Sequence, residues 1–555
     1  MDATPRRRRW FLGAAATGLG LAGLSGSGVG HRGIASPPGV FAVHEFGARG
    51  DGTTRDTAAI QAAIDAAAAS GGGIVVFPGG TFLSGTIFLK SRVTLHLGPG
   101  AVLLGSPDVA DYPARPFPAR DLDVGGYEVW ALVHAEDAEQ ITIEGDGVID
   151  GNGAHFPRME VLDPDVVTRA RPRLIFFKSC RSVRLREVTL REAGLWTVHL
   201  AMCDTVRISG LSVTSTRHLN QDGIVLDSCT DATVSDCSVD TEDDAVVLKS
   251  SFPRACSNVT ISNCVLRSRC AGVKLGTQSL GGFRAVAISN LVLHDCRLGG
   301  LKFQTVDGGD LEDVTVRDIV MHDVAAPLSF RRGARGVDFG FPDVQRPRPV
   351  GALRHVLISQ VRATLSAGVP RDGATMSIAG VPGHPVEDVT LENIDITVPG
   401  GGTLSEARRG EVPERESAYP EHTMFGVLPA HGLWVRHAAR LALRDVRVGI
   451  VAPDARAALV CDDVDDLDVV RLRAATSGPE PLVRLRGTRG AAVRGCRPGA
   501  GETFVRVEGQ GSGDIALVGN DLRAVRVPVA TSDGFAGRVS RTDDLVPPST
   551  SGPDT

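Results

Sequence analysis

The feature that most restricts this chain is a repeat. CRSVRLREVTL, CDTVRISGLSV, CTDATVSDCSV, CSNVTISNCVL, FRAVAISNLVL and LEDVTVRDIVM follow one another through the middle of the sequence. The second apolar position of these units falls at Leu185, Ile208, Val234, Ile261, Ile288 and Val316, in steps of 23, 26, 27, 27 and 28 residues. Weaker copies follow at LRHVLISQVRA, VEDVTLENIDI and LALRDVRV, and QITIEGDGVIDG precedes them. Apolar and polar residues alternate within each unit, the signature of a strand with one buried face. So short a period leaves no room for long helices, and one such unit cannot bury its face alone. Stacking the units into a β-solenoid solves both problems. Strands of a sandwich or propeller also alternate, but propeller blades are longer and would not return the same Cys/Val/Ile register coil after coil.

The cysteines carry the same register. Cys180, Cys203, Cys229 and Cys256 open four successive units, and Cys237 and Cys264 share a later position. Parallel neighbours lie about 4.8 Å apart, so these thiols should form columns. Side chains in register point the same way, which is poor disulfide geometry. A buried thiol ladder is therefore expected. No CxxC pair or His/Cys cluster at metal spacing is present in the sequence, so no zinc site is expected.

The two ends read differently from the repeat. PRRRRWFLGAAATGLGLAGL joins a basic cluster to an apolar run too short for a comfortable membrane span, which marks residues 1–32 as an export signal. Arg8-Arg9-Trp10-Phe11-Leu12 fits the bacterial twin-arginine pattern. An exported, unanchored, monomeric protein is expected. The formal charge is −6, of which the leader contributes +4, so the remainder carries −10. That balance excludes general nucleic-acid binding, which needs cations against phosphates. A polyanionic ligand would need a local basic patch.

Residues 33–540 read as one solenoid domain. An N-terminal cap over about 41–100 would contain a helix at Thr57–Ala69, with Asp56 as its N-cap, Ile60 and Ile64 on one face, and Gly71-Gly72-Gly73 stopping it. Core coils are expected over about 130–400 and irregular last coils over about 430–540, with residues 541–555 as a disordered Pro/Ser/Thr tail.

NQDGIVLDSCTDATVSDCSVDTEDDAVVLKS holds the candidate chemistry. Aligning DGIVLD, DAVVLK, AGVKLG and GGLKFQ, with steps of 22, 27 and 28 residues, puts Asp222 and Asp244 at one position on adjacent coils, with Asp243 beside them. Ile224, Leu226, Val246, Leu248, Val273, Leu275, Leu301 and Phe303 take the inward parity. Val225, Asp227, Val247, Lys249, Lys274, Lys302 and Gln304 take the outward one. An Asp-Asp pair at a strand start is ordinarily turn chemistry; its register with Asp222 and the lysines makes it a site. Carboxylates so crowded cannot all ionise, so one should keep a proton. A protonated acid beside ionised carboxylates is what glycosidic hydrolysis requires. The column Lys249, Lys274 and Lys302 supplies the cations an anionic sugar would need. Trp196, one coil earlier, reads equally as a sugar platform or a packing aromatic. Arg331 reads equally as a substrate contact or a turn charge.

At these residues the sequence resembles glycoside hydrolase family 28, the polygalacturonase and rhamnogalacturonase family. The likeness runs from Phe41 to about Val470 through FGARGDGTTRDTAAIQAAIDAA, GGGIVVFPGGTF, GDGVIDGNG, RPRLIFFKSC, LWTVHL, NQDGIVL and TEDDAVVLKS. It implies an all-β, right-handed parallel β-helix with an N-terminal capping helix, and cleavage of pectic, uronate-containing polysaccharide by inversion without a metal or other cofactor. It implies that Asp243 is the general acid and that Asp222 and Asp244 activate water. Asn220, Lys249, Lys274, Lys302, Gln304, Trp196 and Arg331 would bind the sugar chain. Two motifs depart from the polygalacturonase pattern. Cys270-Ala271-Gly272 stands at the His-Gly motif, and Lys302-Phe303-Gln304 at Arg-Ile-Lys. Family members acting on rhamnogalacturonan or other uronic-acid glycans lack both motifs, and Lys274 has no counterpart in the polygalacturonase pattern. Tyr419 to His437 resembles a subset of bacterial members and reads as a loop excursion followed by a coil, one that could line one end of the cleft; a closed end would favour exo-action. Two rival readings stand beside this one. A β-helix polysaccharide lyase would use an Arg or Lys base, usually with calcium. A non-catalytic glycan-binding β-helix would keep the groove without needing the acids.

Overall fold

A computed structural model describes residues 39–121, 126–157, 171–532 and 534–546. The expected export signal and the end of the expected tail lie outside them. Parallel strands stack coil upon coil from Val40–Ala42 to Val539–Thr542. One antiparallel ribbon, Arg115–Asp121 with Gly126–Val129, stands apart.

Two inward columns explain why the alternating units stack. Phe177, Leu200, Leu226, Leu248, Leu275, Phe303, Phe330, Ile378 and Val435 pair in unbroken register along one sheet. Ile175, Val198, Ile224, Val246, Val273, Leu301 and Leu328 form the second column. All are buried, and each fully buried side chain of this size contributes roughly 1.5–3 kcal/mol. Phe303 and Phe330 stack with ring centroids 4.8 Å apart.

The bends between sheets have their own columns. Asp231, Asn258, Ala285, Asp313, His355 and Asp388 take left-handed backbone with φ from 51° to 57°. Asp236, Asn263, Asn290, Asp318, Gln360 and Asn393 do the same at the next bend. Asn and Asp reach this region most readily among non-glycine residues, and their side chains link coils: Asn263 Nδ2 donates to Asp236 Oδ1 at 3.2 Å and Asn290 Nδ2 to Asn263 Oδ1 at 2.8 Å. The cysteine ladder is present. All ten cysteines are free, and the thiols of Cys203, Cys229 and Cys256 donate to the carbonyls of Phe177, Leu200 and Leu226.

The helix occupies Thr57–Ala69 and buries Ile60, Ala63, Ile64 and Ala67 over the end of the stack. Three expectations need correction. Asp56 holds the N-cap position, where its carbonyl accepts from Ile60 N at 2.9 Å, but its side chain makes no capping bond: the carboxylate turns back and accepts from the Arg49 and Gly50 N–H groups at 2.8 and 3.0 Å. The C-terminal coils are regular, since Ala430–Ile450, Ala457–Val470 and Val483–Arg494 pair in parallel register. Residues 541 and 542 belong to the last strand and Leu545 bridges to Asp521, so the expected tail cannot begin at 541.

Candidate active site

The sheet holding DGIVLD and DAVVLK puts the acids in register as expected. Thr197 N donates to Asp222 O at 2.8 Å, Gly223 N to Asp244 O at 2.9 Å and Ala245 N to Ala271 O at 2.9 Å. Trp196, Asp222, Asp244 and Ala271 therefore share one position on four coils. Lys274 pairs with Lys302 directly, and Asp227 with Lys249.

Local sequence builds the corner under the acids. Asn220 takes the left-handed conformation at φ 58° and turns the chain. Gln221 Oε1 accepts from the Arg217 and His218 N–H groups, both at 2.7 Å, and its amide donates to Ala193 O. Gly223 permits close stacking: a Cβ there would lie 2.4 Å from Ala245 O. One coil on, the Thr241 and Ser268 hydroxyls both donate to Asp243 O at 2.7 Å, and Asp244 N donates to Asp243 Oδ1 at 2.8 Å.

Neighbouring carboxyls are driven apart in acidity. Burial and the charge on Asp244 raise Asp243 above its ordinary value of 3.8. Burial alone would raise Asp244 as well. The Lys274 and Lys302 charges and the Lys274 hydrogen bond outweigh it and hold Asp244 below 3.8. Lys274 Nζ sits 2.9 Å from Asp244 Oδ2, and Ala271 N donates to Asp244 Oδ1 at 3.2 Å. Asp222, 2% exposed, faces Lys249 Nζ at 3.6 Å. Asp243 is half-buried, the most accessible of the three acids.

The sugar-binding expectations fare differently. Lys249 lies 4.2 Å from the Trp196 ring centroid and Arg173 4.6 Å from it. With Leu195, Val225 and Val247, Trp196 forms a small apolar cluster at 2% exposure. It is a packing aromatic, not an open platform, because the Lys249 ammonium and the Arg173 guanidinium lie over its ring. Lys302 is not an open cation either: both Glu421 oxygens accept from its Nζ at 2.7 Å and its side chain is 0% exposed. Gln304 Nε2 donates to Pro420 O at 2.8 Å. Arg331 donates to the carbonyls of Gly380, Glu414 and Arg415. Lys302, Gln304 and Arg331 are thus bound by the chain itself, through the connection over residues 399–429. Lys274 serves Asp244 first, with the Tyr419 hydroxyl 3.4 Å from its Nζ.

That connection is where the sequence reading fell short. Tyr419 to His437 was expected to line one end of the cleft, and Tyr419 does stand over Lys274 and Thr277. Glu421 was missed as a site residue. No repeat register points to it, since it lies 119 residues beyond Lys302.

A cation also has to be considered. Asp243, Asp244 and Cys270 bring ligand-type atoms within 4.8 Å of one another. Burial and the Asp244 charge push the Cys270 thiol well above its ordinary value, which keeps it a protonated and weak ligand. The Lys274 ammonium on Asp244 opposes a further positive charge at the same carboxylate. This donor set fits a metal poorly.

Comparison with known proteins agrees with the geometry. The family model for Glycosyl hydrolases family 28 matches residues 125–413, and a rhamnogalacturonase A/epimerase, pectate lyase-like model matches residues 40–102. The chain is similar to a probable polygalacturonase of Vitis vinifera, 30% identical over 296 residues, which are 50% of this chain and 60% of that one. It is also similar to the exo-poly-alpha-D-galacturonosidase of Dickeya chrysanthemi, 38% identical over 133 residues, which are 21% of this chain and 20% of that one. The first curated relatives are thus matched over only about 60% of their own length. Among solved structures, the Yersinia enterocolitica family 28 exopolygalacturonase superposes with TM-score 0.57 at 19% identity, covering 80% of this chain and 79% of that one. The Thermotoga maritima exopolygalacturonase gives 0.54 at 23% identity, covering 66% of this chain and 88% of that one. At such identities the superpositions establish the fold, a right-handed parallel β-helix.

Proposed function

Because the chain belongs to family 28 of the glycosyl hydrolases, we propose that it hydrolyses glycosidic bonds in a pectic, uronate-containing polysaccharide, with Asp243 as proton donor and Asp222 and Asp244 as the carboxylates that activate water. The observation that carries this reading is the register that stacks Asp222 and Asp244 on adjacent coils, with Asp243 beside them and Lys274 Nζ 2.9 Å from Asp244. Burial and these charges together raise Asp243 and lower Asp244, the directions an acid and a base need. In the reaction, water oxygen attacks the anomeric carbon and gives its proton to Asp222 or Asp244. The bond to the leaving oxygen breaks as that oxygen takes the Asp243 proton. Asp243, the most accessible acid, is the one placed to reach a leaving group. No step requires a metal.

A lyase would need a neutral base at this site. Burial would lower Lys274 and Lys302, but Asp244 and Glu421 outweigh it and hold both above their ordinary value. Ion-paired to Asp244 and Glu421, neither is available as a lyase base. Export by the twin-arginine route belongs to the same proposal and rests on the leader PRRRRWFLGAAATGLGLAGL. No helix among the described residues is long and apolar enough to cross a membrane.

The test is a reducing-end assay on homogalacturonan and rhamnogalacturonan I, with chelator, for the parent and Asp243→Asn. Hydrolysis that survives chelator and falls about 10²–10⁴-fold in the variant supports the assignment. An Asp243→Asn enzyme with parental rate removes it.

A further inference from the structure

Glu421 holds a place where a ligand's carboxylate would be expected. It meets the Nζ of Lys302 with both oxygens, and its Oε1 also lies 2.6 Å from His422 Nδ1. The backbone carrying it is docked firmly. Val412, Phe425 and Leu428 pack with Trp434 and Val460 in a separate apolar cluster, the Phe425 and Trp434 rings 5.0 Å apart. Gln304 ties down Pro420 from below.

Two residues before Glu421 the picture changes. Tyr419 is 55% exposed. Its hydroxyl is fixed by Thr277 Oγ1 at 3.0 Å and faces Lys274 Nζ at 3.4 Å, and Lys274 in turn holds Asp244. An exposed aromatic ring, with the Lys274 ammonium 5.8 Å and the Arg335 guanidinium 5.9 Å from its centroid, therefore stands one hydrogen-bonded link from the acids, the kind of surface on which a pyranose ring packs. Charges around it are already matched. Lys274 has Asp244, Lys302 has Glu421, and Arg335 has Asp307. Arg331 gives both terminal nitrogens to three carbonyls and keeps a buried Nε without a hydrogen bond among the described residues. A uronate carboxylate arriving beside Tyr419 would lose water and find these cations taken. An uncharged ring would lose nothing of the kind.

We propose that Glu421 is a specificity-determining residue: it fills the cation site at Lys302 with the protein's own carboxylate, so that the sugar lying on Tyr419 is selected for lacking a charged carboxylate. The inference rests on the reading of the site as a pectic hydrolase. An uncharged ring can arise from a methyl-esterified uronate or from a neutral sugar, and the assay separates them.

The experiment measures kcat/KM on de-esterified oligogalacturonides, methyl-esterified oligogalacturonides and rhamnogalacturonan I oligosaccharides. It compares the parent with Glu421→Gln, Lys302→Met and the double variant, each checked for parental circular dichroism. The parent should prefer one or both uncharged substrates. Glu421→Gln, which releases Lys302, should move the ratio toward the de-esterified chain by about tenfold or more, the size of one charge-assisted hydrogen bond. Lys302→Met leaves Glu421 negative and should move it the opposite way, while the double variant, neutral again, should return to the parental ratio. Ratios within about twofold of the parent in both single variants overturn the proposal. So does a double variant that keeps the Glu421→Gln ratio, because shape rather than charge would then decide. If the parent cleaves none of the three, the proposed activity fails separately. Calorimetric binding of galacturonic acid against its methyl ester, in the parent and Glu421→Gln, then decides the charge question by the same ratio.

Discussion

Lys274 offers the sharpest test of how the acids are tuned. Its Nζ donates to Asp244 Oδ2 at 2.9 Å, with side chains 6% and 2% exposed, so solvent screens the pair little. Lys274→Met removes that charge and leaves the methylene stem's volume in place. A hydrogen bond to a charged group is worth about 1.5–3 kcal/mol. Asp244 without it is a buried carboxylate that resists ionising. On the acid limb of the profile, where Asp244 is mostly protonated, kcat/KM should therefore fall about ten- to hundredfold, and less at pH 5 and above. Lys274 also lowers Asp243, so both limbs of the pH profile should move upward together and the lost activity should partly return at higher pH. The two limbs report the coupled pair, not single residues. The assay is kcat/KM on an oligogalacturonide from pH 3 to 8, with circular dichroism to confirm the fold, since breaking a buried pair also costs roughly 3–5 kcal/mol of stability. A folded Lys274→Met enzyme whose profile drops in height without moving would refute the argument, because the lysine would then bind sugar rather than tune acids.

Three further outcomes are expected. Glu421 is held below its ordinary 4.5, because the Lys302 charge and the His422 hydrogen bond outweigh burial. Its contribution to stability is complete above that value and is lost as pH falls below it; melting temperatures from pH 6 to 3 should drop more steeply in the parent than in Glu421→Gln/Lys302→Met. Leu248→Ala, between Leu226 and Leu275 in the inward column, should destabilise by about 2–5 kcal/mol in denaturant melts, and a change under about 1 kcal/mol would contradict the column's role. Native protein should titrate with a thiol reagent at no more than one site, Cys270 being the one half-buried cysteine, and at ten after denaturation without reductant. Fewer than ten would reveal disulfides.

What could be read from the sequence was what repeats. Strands, inward columns, the thiol ladder and the register of Asp222 with Asp244 all follow from a period near 27 residues, because stacked coils convert sequence spacing into adjacency. The helix at Thr57–Ala69 was legible from its stop at Gly71-Gly72-Gly73, but the role of Asp56 was not, since its carboxylate turns toward a loop rather than the helix. Parity also gives only a side of the sheet, not its exposure. Val225 and Val247 take the outward parity and are still buried, because they pack with Trp196, whose ring in turn meets the Lys249 ammonium and the Arg173 guanidinium. Lys302, Gln304 and Arg331 hydrogen-bond to residues 414–421, a stretch outside the repeat that no register announces.

The central claim is hydrolysis by a protonated Asp243 with water on the opposite face of the sugar. Asp243 and Asp244 have oxygens within 4.8 Å, closer than the roughly 6.5–9.5 Å common between the acid and base of inverting enzymes. The stereochemistry is therefore the most direct test. A proton NMR time course on an oligogalacturonide should show the inverted anomer first, with mutarotation later and no unsaturated uronate. A retained anomer would make one carboxylate a nucleophile, and an unsaturated product would make the enzyme a lyase; either contradicts the account.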